Sequence, residues 1–178
     1  MDSEELQTLC LNIAELKEHF LGVFPCDQVP QETRRYHTPK FCIVNLDPSY
    51  KDGSHWVTLI FRPQKRNIYF DSYGFSPPQN KQRILNALDK HYVWNKVQLQ
   101  HPLSTACGQW CIFFCCAFFS GNSLSRIKKH FSKESDLLKN DFAINEFVNN
   151  ILSFDKCYQV LDRKFLKKQF AVQMKENL

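Results

Sequence analysis

The sequence lacks the features that mark membrane and secreted proteins. Its longest run without charged or strongly polar residues, Trp110 to Phe119, is about half of the ~20 residues that a membrane-spanning helix needs. Met1 leads into acidic residues rather than the basic segment that opens a secretory signal. These absences predict a soluble, unsecreted protein that acts inside a cell.

The chain also lacks internal repeats, low-complexity tracts and linkers, which predicts one domain over residues 1–178. Its composition, 43% hydrophobic and 23% charged, is that of an ordinary globular protein. Sixteen Phe, six Tyr and three Trp supply enough large apolar side chains to form a core without disulfides or metal. Eight cysteines, four of them between residues 107 and 116, fit a reducing compartment better than a disulfide scaffold.

Metal-ligand spacing is missing as well, so we expect no metal. Cys107, Cys111 and Cys115 share one helical face but do not form the tight Cys-x2-4-Cys knuckle that zinc prefers. The remaining histidines outside the candidate site show no paired spacing: they include His37, His91, His101 and His130.

The net charge of +5, from 23 basic and 18 acidic residues, permits a nucleic-acid partner without requiring one. Basic residues that could follow a phosphate backbone are Arg34-Arg35, Arg62, Lys65-Arg66, Arg126, Lys128-Lys129, Arg163-Lys164 and Lys167-Lys168. Basic residues spread in this way more often form a solvated surface, so DNA binding stays an open alternative.

Hydrophobic periodicity predicts an α+β fold, with a central antiparallel-rich mixed sheet packed against a buried central helix. Helices are predicted over residues 4–20, 79–90 and 107–119, around Phe142, Phe147, Val148 and Ile151, and from about Lys156 to Met174. Strands are predicted over residues 40–46, 54–61, 68–71 and 96–100. The helix over residues 107–119 is apolar nearly all round, which is typical of a helix inside a domain, and the terminal helices flank the sheet.

Cys107 is the candidate nucleophile. It begins the central helix, where backbone N–H groups and the helix dipole stabilise a thiolate. Cys111, Cys115 and Cys116 lie deeper in the apolar helix, where burial keeps a thiol inert. Taken alone, a cysteine in such a run is more often core filler.

Three further residues give Cys107 a catalytic context. His55 begins one strand of a predicted hairpin and Asp71 ends the next, so imidazole and carboxylate are expected side by side at one sheet edge. A base and the acid that orients it are what a nucleophilic cysteine needs. Gln100, which we expect at the end of the preceding strand, could donate an N–H to a tetrahedral oxyanion beside the Cys107 backbone N–H. Taken alone, His55 is more often a strand-end histidine without a catalytic role, Asp71 a turn-forming residue and Gln100 a polar surface residue.

Three motifs resemble the adenovirus endopeptidase (adenain) family, in the clan that includes the SUMO-specific proteases. They are Gly53-Ser-His-Trp56, Phe70-Asp-Ser-Tyr-Gly-Phe-Ser76 and Gln100-His-Pro-Leu-Ser-Thr-Ala-Cys-Gly-Gln-Trp-Cys111. The likeness covers roughly residues 19 to 120 and includes Phe20-Leu-Gly22 and Cys42-Ile-Val-Asn45.

The resemblance implies a papain-like cysteine protease with the permuted order His, Asp, Gln, Cys. By this likeness Cys107 attacks the peptide carbonyl, His55 is general base and then acid, Asp71 orients His55, and Gln100 helps form the oxyanion hole. Trp56 is implied in substrate binding, at a narrow cleft that accepts small residues such as glycine. The implied substrates are capsid and core precursor proteins of a DNA virus or a Polinton/Maverick-like element, in the host nucleus or cytoplasm and in the virion. A monomer is expected.

The chain departs from the resembled family in two respects. Its acid is Asp71, as in the SUMO proteases, where adenain uses Glu. Adenain is activated by DNA and by a peptide joined through a disulfide to a cysteine before the oxyanion Gln, but this chain has no cysteine between Cys42 and Cys107. No cofactor is expected for the chemistry, and activation by DNA or by a non-covalent peptide stays open.

Other functions also stay open at this point. A SUMO or ubiquitin-like deconjugating protease would likewise cut after glycine. An acetyltransferase of the same fold would use the same thioester chemistry. A silent binding module is disfavoured because every member of the constellation is present.

Overall fold

Six helices and five strands make up the part of the chain described by the computed structural model, residues 1–31, 36–131 and 135–155. The helices are α1 (Ser3–Asn12), α2 (Ala14–Lys17), α3 (Gln82–Leu88), α4 (Cys107–Phe119), α5 (Leu124–Phe131) and α6 (Leu137–Asp155). The strands are β1 (Phe20–Pro25), β2 (Lys40–Asn45), β3 (Trp56–Phe61), β4 (Asn67–Phe70) and β5 (Tyr92–Trp94).

The five strands form one mixed sheet in sequence order, β1-β2-β3-β4-β5. The inner pairs, β2 with β3 and β3 with β4, are antiparallel, whereas both edge strands pair in parallel with their neighbours. An α+β fold with a mixed sheet is therefore confirmed, with antiparallel pairing confined to its centre.

Both faces of the sheet are covered, so the inner strands are buried almost throughout. Because successive side chains of a strand point to opposite faces, β3 divides its residues between two cores. Ile60 packs on the side of α4, α1 and α6, while Val57 and Leu59 pack on the side of α3.

Helix α4 lies in the centre of the larger core, as its sequence predicts. Nine of its residues, from Gly108 to Ala117, are buried, and the helix packs against β3, α1, α2, α5 and α6. Aromatic rings fix this packing: Phe114 stacks on Phe70 at 4.1 Å, and Phe113 meets Phe131 and Phe147 edge-on. The first residue of this buried helix, Cys107, therefore has a well-defined position.

The predicted single helix over residues 4–20 is wrong in its second half. Ile13 has an extended backbone that separates α1 from α2, and Phe20 begins β1. Asp2 caps α1, because the Asp2 carboxylate accepts the Glu5 N–H and the Glu5 carboxylate accepts the Asp2 N–H, each at 2.9 Å. Gly22, with φ +139°, lies in an irregular stretch of the β1–β2 register that lets the strand continue.

The predicted strand over residues 96–100 is also wrong. The edge strand is the shorter β5, and the chain leaves the sheet at Lys96, whose φ is +57°. Helix α5 was not predicted, and Phe142 on α6 is 70% exposed rather than part of the core. The predicted helix over residues 156–174 and the pairs Arg34-Arg35, Arg163-Lys164 and Lys167-Lys168 lie outside the described residues. None of the described helices combines the length and apolar character that crossing a bilayer requires.

Candidate active site

The β3–β4 hairpin brings His55 and Asp71 together. His55 directly precedes β3 and Asp71 directly follows β4, and the antiparallel register pairs Thr58 with Phe70 at this end of the hairpin. The His55 Nε2 atom lies 2.8 Å from Asp71 Oδ1, and the two side chains are 12% and 1% exposed. The structure thus places imidazole and carboxylate as the hairpin pattern predicts.

Cys107 lies close enough to the His55 imidazole to interact with it. The side chain of His55 and the backbone N–H groups of Trp56 and Gly108 all favour the ionised form of its thiol. Helix α4 has no side-chain cap at its start, so its first N–H groups are not taken up by a capping side chain, and that of Gly108 is directed at the sulfur. The three members of the predicted triad therefore lie together: Asp71 is hydrogen-bonded to His55, and His55 interacts with the Cys107 thiol.

These contacts change the pKa values of Cys107 and His55 in opposite directions. Burial is the largest influence on Cys107 and opposes its ionisation, but the His55 hydrogen bond, the Trp56 N–H, the His55 charge and the Gly108 N–H together lower the pKa of the thiol. Burial also opposes the charged form of His55, and hydrogen bonds to Asp71 and Cys107 outweigh it and raise its pKa to about 9. Both shifts favour a thiolate beside an imidazolium.

The other cysteines of α4 have the opposite environment. Cys111, Cys115 and Cys116 are fully buried, and burial raises the pKa of each thiol well above its ordinary value. A thiol that stays protonated is a poor nucleophile. Among the described cysteines, only Cys107 is partly exposed, since Cys10, Cys26 and Cys42 are also buried.

Gln100 lies in a loop, so the prediction that it lies at the end of a strand is wrong. It is fully buried, and its backbone N–H and that of Leu99 both donate to the Ser72 carbonyl. Its Oε1 accepts the Ser72 hydroxyl at 2.6 Å, and its Nε2 donates to the Ser104 carbonyl at 2.7 Å and to the Tyr73 hydroxyl at 3.3 Å. These partners orient the amide with its N–H groups toward the loop before Cys107.

Two asparagines that the sequence interpretation missed hold this arrangement in place. Asn95 is fully buried; its side chain accepts the Asp71 N–H at 3.1 Å and donates to the Asp71 carbonyl at 2.6 Å. Asn45 accepts the Ser54 N–H at 3.2 Å and so anchors the loop that leads to His55. A Cβ on Gly53, which has φ +95°, would meet the Asn45 amide at 2.4 Å, so this close approach requires glycine. Isolated asparagines carry no sequence signal for such roles.

A groove of about 570 Å³ lies beside Cys107. Cys107, Thr105 and Trp56 line it, together with residues of β1 and of the loop from Asp47 to Ser54. The Trp56 indole donates its N–H to the Met1 carbonyl at 3.1 Å, so this side chain is fixed in position at the groove. Trp56 therefore contributes both a wall of the groove and a backbone N–H to the thiolate.

Among residues 1–31, 36–131 and 135–155, no cluster of three or more His, Cys, Asp or Glu side chains could hold a metal ion.

Comparison with known proteins identifies the family. Residues 20–139, more than half of the chain, match the family model described as Adenovirus endoprotease. The chain is 30% identical over 135 residues to the protease of Bovine adenovirus 2, an alignment that covers 65% of this chain and 62% of that protein. It is 30% identical over 137 residues to the protease of Snake adenovirus serotype 1, covering 66% of each chain, and 28% identical over 128 residues to the protease of Bovine adenovirus 4, covering 61% of each.

The chain thus spans between 61% and 66% of the length of these relatives. The matched residues contain the His55 loop, the Asp71 turn, the Gln100 loop and the start of α4. The resemblance that these motifs indicated is confirmed: the chain belongs to the adenovirus endoprotease family of cysteine proteases.

Proposed function

We propose that this protein is a cysteine endopeptidase that hydrolyses peptide bonds through a thioester on Cys107. The observation that carries the proposal is that Asp71 is hydrogen-bonded to His55, and His55 interacts with a Cys107 thiol that lines an open groove. Such an arrangement supplies a thiolate, a proton donor for the leaving group and a fixed orientation for both.

In the first half of the reaction the Cys107 thiolate attacks the carbonyl carbon of the scissile bond. The tetrahedral oxyanion collapses, the C–N bond breaks, and the His55 imidazolium gives its proton to the departing amine. In the second half neutral His55 takes a proton from water, the resulting hydroxide attacks the thioester, and Cys107 leaves as a thiolate. Asp71 keeps the His55 ring oriented in both halves.

Gln100 and the Cys107 backbone N–H are the proposed oxyanion donors. Gln100 already donates to Ser104 and Tyr73, and its contact with Tyr73, at 3.3 Å, is the longer of the two. A substrate oxyanion would therefore replace the weaker partner, because a charged acceptor binds an N–H more strongly than a neutral hydroxyl does.

The proposed substrates are protein precursors cut after small residues, typically glycine, during assembly of a viral or virus-like particle. The proteases of the adenoviruses to which the chain is similar support this assignment. We place the enzyme in the host nucleus or cytoplasm and in the particle, as a monomer with one protease domain over residues 1–178. The source could be a DNA virus or a capsid-encoding mobile element.

Peptide cleavage tests the proposal directly. A panel of peptides containing Gly-Gly sites and a ubiquitin-like precursor would be incubated with the wild-type protein and with Cys107→Ala. If the wild-type protein cuts within the peptides and Cys107→Ala does not, the endopeptidase is supported. If the wild-type protein cuts only the ubiquitin-like precursor, the deconjugating alternative is supported. Acetylation of added proteins in the presence of acetyl-coenzyme A would favour an acetyltransferase, and the absence of any Cys107-dependent reaction would refute the proposal.

We also propose that DNA binds a basic surface around the β3–β4 connection. Arg62 and Arg66 line two neighbouring grooves, the first with Lys65 and the second with Lys96 and Lys128. Burial is the larger and the Arg66 charge the smaller of the two causes that lower the pKa of Arg62. A peptide activator, if used, would bind without a disulfide, because no cysteine lies between Cys42 and Cys107.

Salt dependence tests the DNA proposal. Binding of a labelled DNA duplex should weaken steeply with salt, and the double variant Lys65→Gln/Arg66→Gln should reduce the slope by about two counterions. Lys17→Gln, which changes an exposed lysine on α2, is the matched control. If DNA binding does not change with salt, or if Lys65→Gln/Arg66→Gln and Lys17→Gln change its salt dependence equally, this surface is not the DNA-binding site.

A further inference from the structure

Tyr73 contacts His55, Asp71 and Gln100 of the candidate site. Its backbone N–H donates to Asp71 Oδ1 at 2.8 Å, the same oxygen that contacts His55 Nε2. Its ring stacks on the His55 imidazole, with 4.9 Å between ring centroids and 25° between planes. Its hydroxyl accepts the Gln100 amide at 3.3 Å and donates to the Ser104 carbonyl at 3.2 Å.

The ring contact bears on the position and the charge of His55. A hydrogen bond to Asp71 fixes one edge of the imidazole, but the ring could still rotate about the line that joins the two groups. A stacked ring removes this freedom, and the face of a phenol ring attracts a cation, so it favours imidazolium over neutral imidazole. The titratable groups that face His55 are Asp71, Cys107 and the Tyr73 phenol itself.

The hydroxyl fixes the ring from the opposite end. Ser104 and Gln100 belong to the loop before α4, whereas His55 and Asp71 belong to the hairpin. Tyr73 follows the hairpin and is hydrogen-bonded to both, so the ring is held between the base and the oxyanion loop. The turn that places it there includes Gly74, where φ is +77° and a Cβ would meet the Val97 carbonyl carbon at 2.5 Å.

We infer that Tyr73 is a positioning residue for catalysis, whose ring holds His55 in line with Cys107 and whose hydroxyl ties that ring to the loop carrying Gln100. This inference rests on the proposed protease function, since it names a residue that acts on the same site. Tyr73 does not transfer a proton or touch the reacting atoms; it acts through His55.

Two substitutions separate the ring from the hydroxyl. Tyr73→Leu removes the ring and keeps the backbone N–H to Asp71, while Tyr73→Phe keeps the ring and removes the hydroxyl. Tyr50→Phe, which alters a residue that is 81% exposed, is the matched control. Two readouts apply to each variant: kcat and KM for a cleaved peptide, and the pH dependence of Cys107 alkylation by iodoacetamide, followed for the Cys107 peptide by mass spectrometry.

We expect Tyr73→Leu to lose about a hundredfold in kcat with little change in KM, because misplacing a catalytic group by about 1 Å has this effect. The acid limb of its alkylation profile should move up by about one pH unit, because a poorly held imidazolium stabilises the thiolate less. Tyr73→Phe should have the alkylation profile of the wild-type protein, and its kcat should stay within about threefold of the wild-type value, because ring stacking is retained.

The inference is overturned if Tyr73→Leu changes only the melting temperature, or if Tyr73→Phe falls as far as Tyr73→Leu. Alkylation needs no peptide substrate, so it distinguishes the two proposals. If the wild-type protein cleaves nothing but the alkylation limb moves in Tyr73→Leu and returns in Tyr73→Phe, the proposed protease function fails while the positioning role stands. Should Tyr73→Leu not fold, a Tyr73→Phe alkylation limb moved by about one pH unit would still contradict the inference, because that variant keeps the ring that is inferred to hold His55.

Discussion

The Trp110 indole N–H donates to Asp141 Oδ1 at 2.8 Å, and this bond joins the nucleophile's helix to α6. The other carboxylate oxygen of Asp141 accepts the backbone N–H of His101 at 2.9 Å. Trp110 lies one turn beyond Cys107, and His101 follows Gln100 directly. A single buried carboxylate thus links the helix of the nucleophile to the loop of the proposed oxyanion donor.

Asp141→Asn should destabilise the protein by about 1–3 kcal/mol. The amide offers one acceptor oxygen in place of two, so one of the two donors, Trp110 Nε1 or His101 N, is left without its partner in a buried place. Urea unfolding followed by tryptophan fluorescence measures the change. Glu146→Gln, which alters an exposed carboxylate on the same helix, is the control and should leave the free energy of unfolding unchanged. Equal stabilities for the two variants would contradict this role of Asp141.

The charged state of the active site predicts a bell-shaped pH profile for kcat/KM. The alkaline limb should lie near pH 9, because His55, whose pKa is raised to about 9, must keep its proton for the leaving amine. The acid limb should lie below the pKa of an ordinary cysteine, because the pKa of the Cys107 thiol is lowered. Initial rates across pH 4 to 10 with a cleaved peptide measure both limbs; a single limb rising to the ordinary thiol pKa would refute the ion pair.

The position of the triad could be predicted from the sequence because its parts are local. The hairpin strands are strongly apolar and antiparallel, so the residues before one and after the other must be neighbours. Cys107 begins a helix whose apolar character leaves no alternative to burial. Local periodicity therefore places His55 beside Asp71, and Cys107 at the start of a helix. The contact between these two parts depends on long-range packing, which periodicity does not show.

The loop of Gln100 could not be predicted in the same way. The alternation of Val97 and Leu99 is typical of a strand, but the backbone N–H groups of Leu99 and Gln100 both donate to one carbonyl, that of Ser72, instead of to a ladder. The true edge strand, Tyr92–Trp94, is too short to give a periodic signal. Long-range hydrogen bonds determine the conformation of such segments, and no local sequence pattern reveals them. The same holds for the interaction of the Trp56 backbone N–H with the Cys107 thiol.

Asp71→Asn should lower kcat by roughly 10²- to 10⁴-fold while leaving KM nearly unchanged. The amide removes the negative charge that favours imidazolium and allows the ring to adopt the wrong tautomer. In the same variant the alkaline limb of the rate profile should move below pH 9, because His55 loses contributions that raise its pKa. Steady-state kinetics at several pH values checks both effects, and a variant with wild-type kcat would show that Asp71 serves only to hold the turn.

Tyr69→Phe should stabilise the protein, in contrast to Tyr73→Phe. Tyr69 on β4 is fully buried, and among the described residues its hydroxyl oxygen has no hydrogen-bond partner. Burial raises the pKa of this hydroxyl, so it stays neutral, and removing it eliminates the desolvation cost of an unpaired polar group, about 1–3 kcal/mol. The Tyr73 hydroxyl has two partners, so its loss should be neutral or destabilising. Thermal and urea unfolding of the two variants beside wild type measures the difference, and an equal loss of stability in both would mean that the Tyr69 hydroxyl is satisfied in solution.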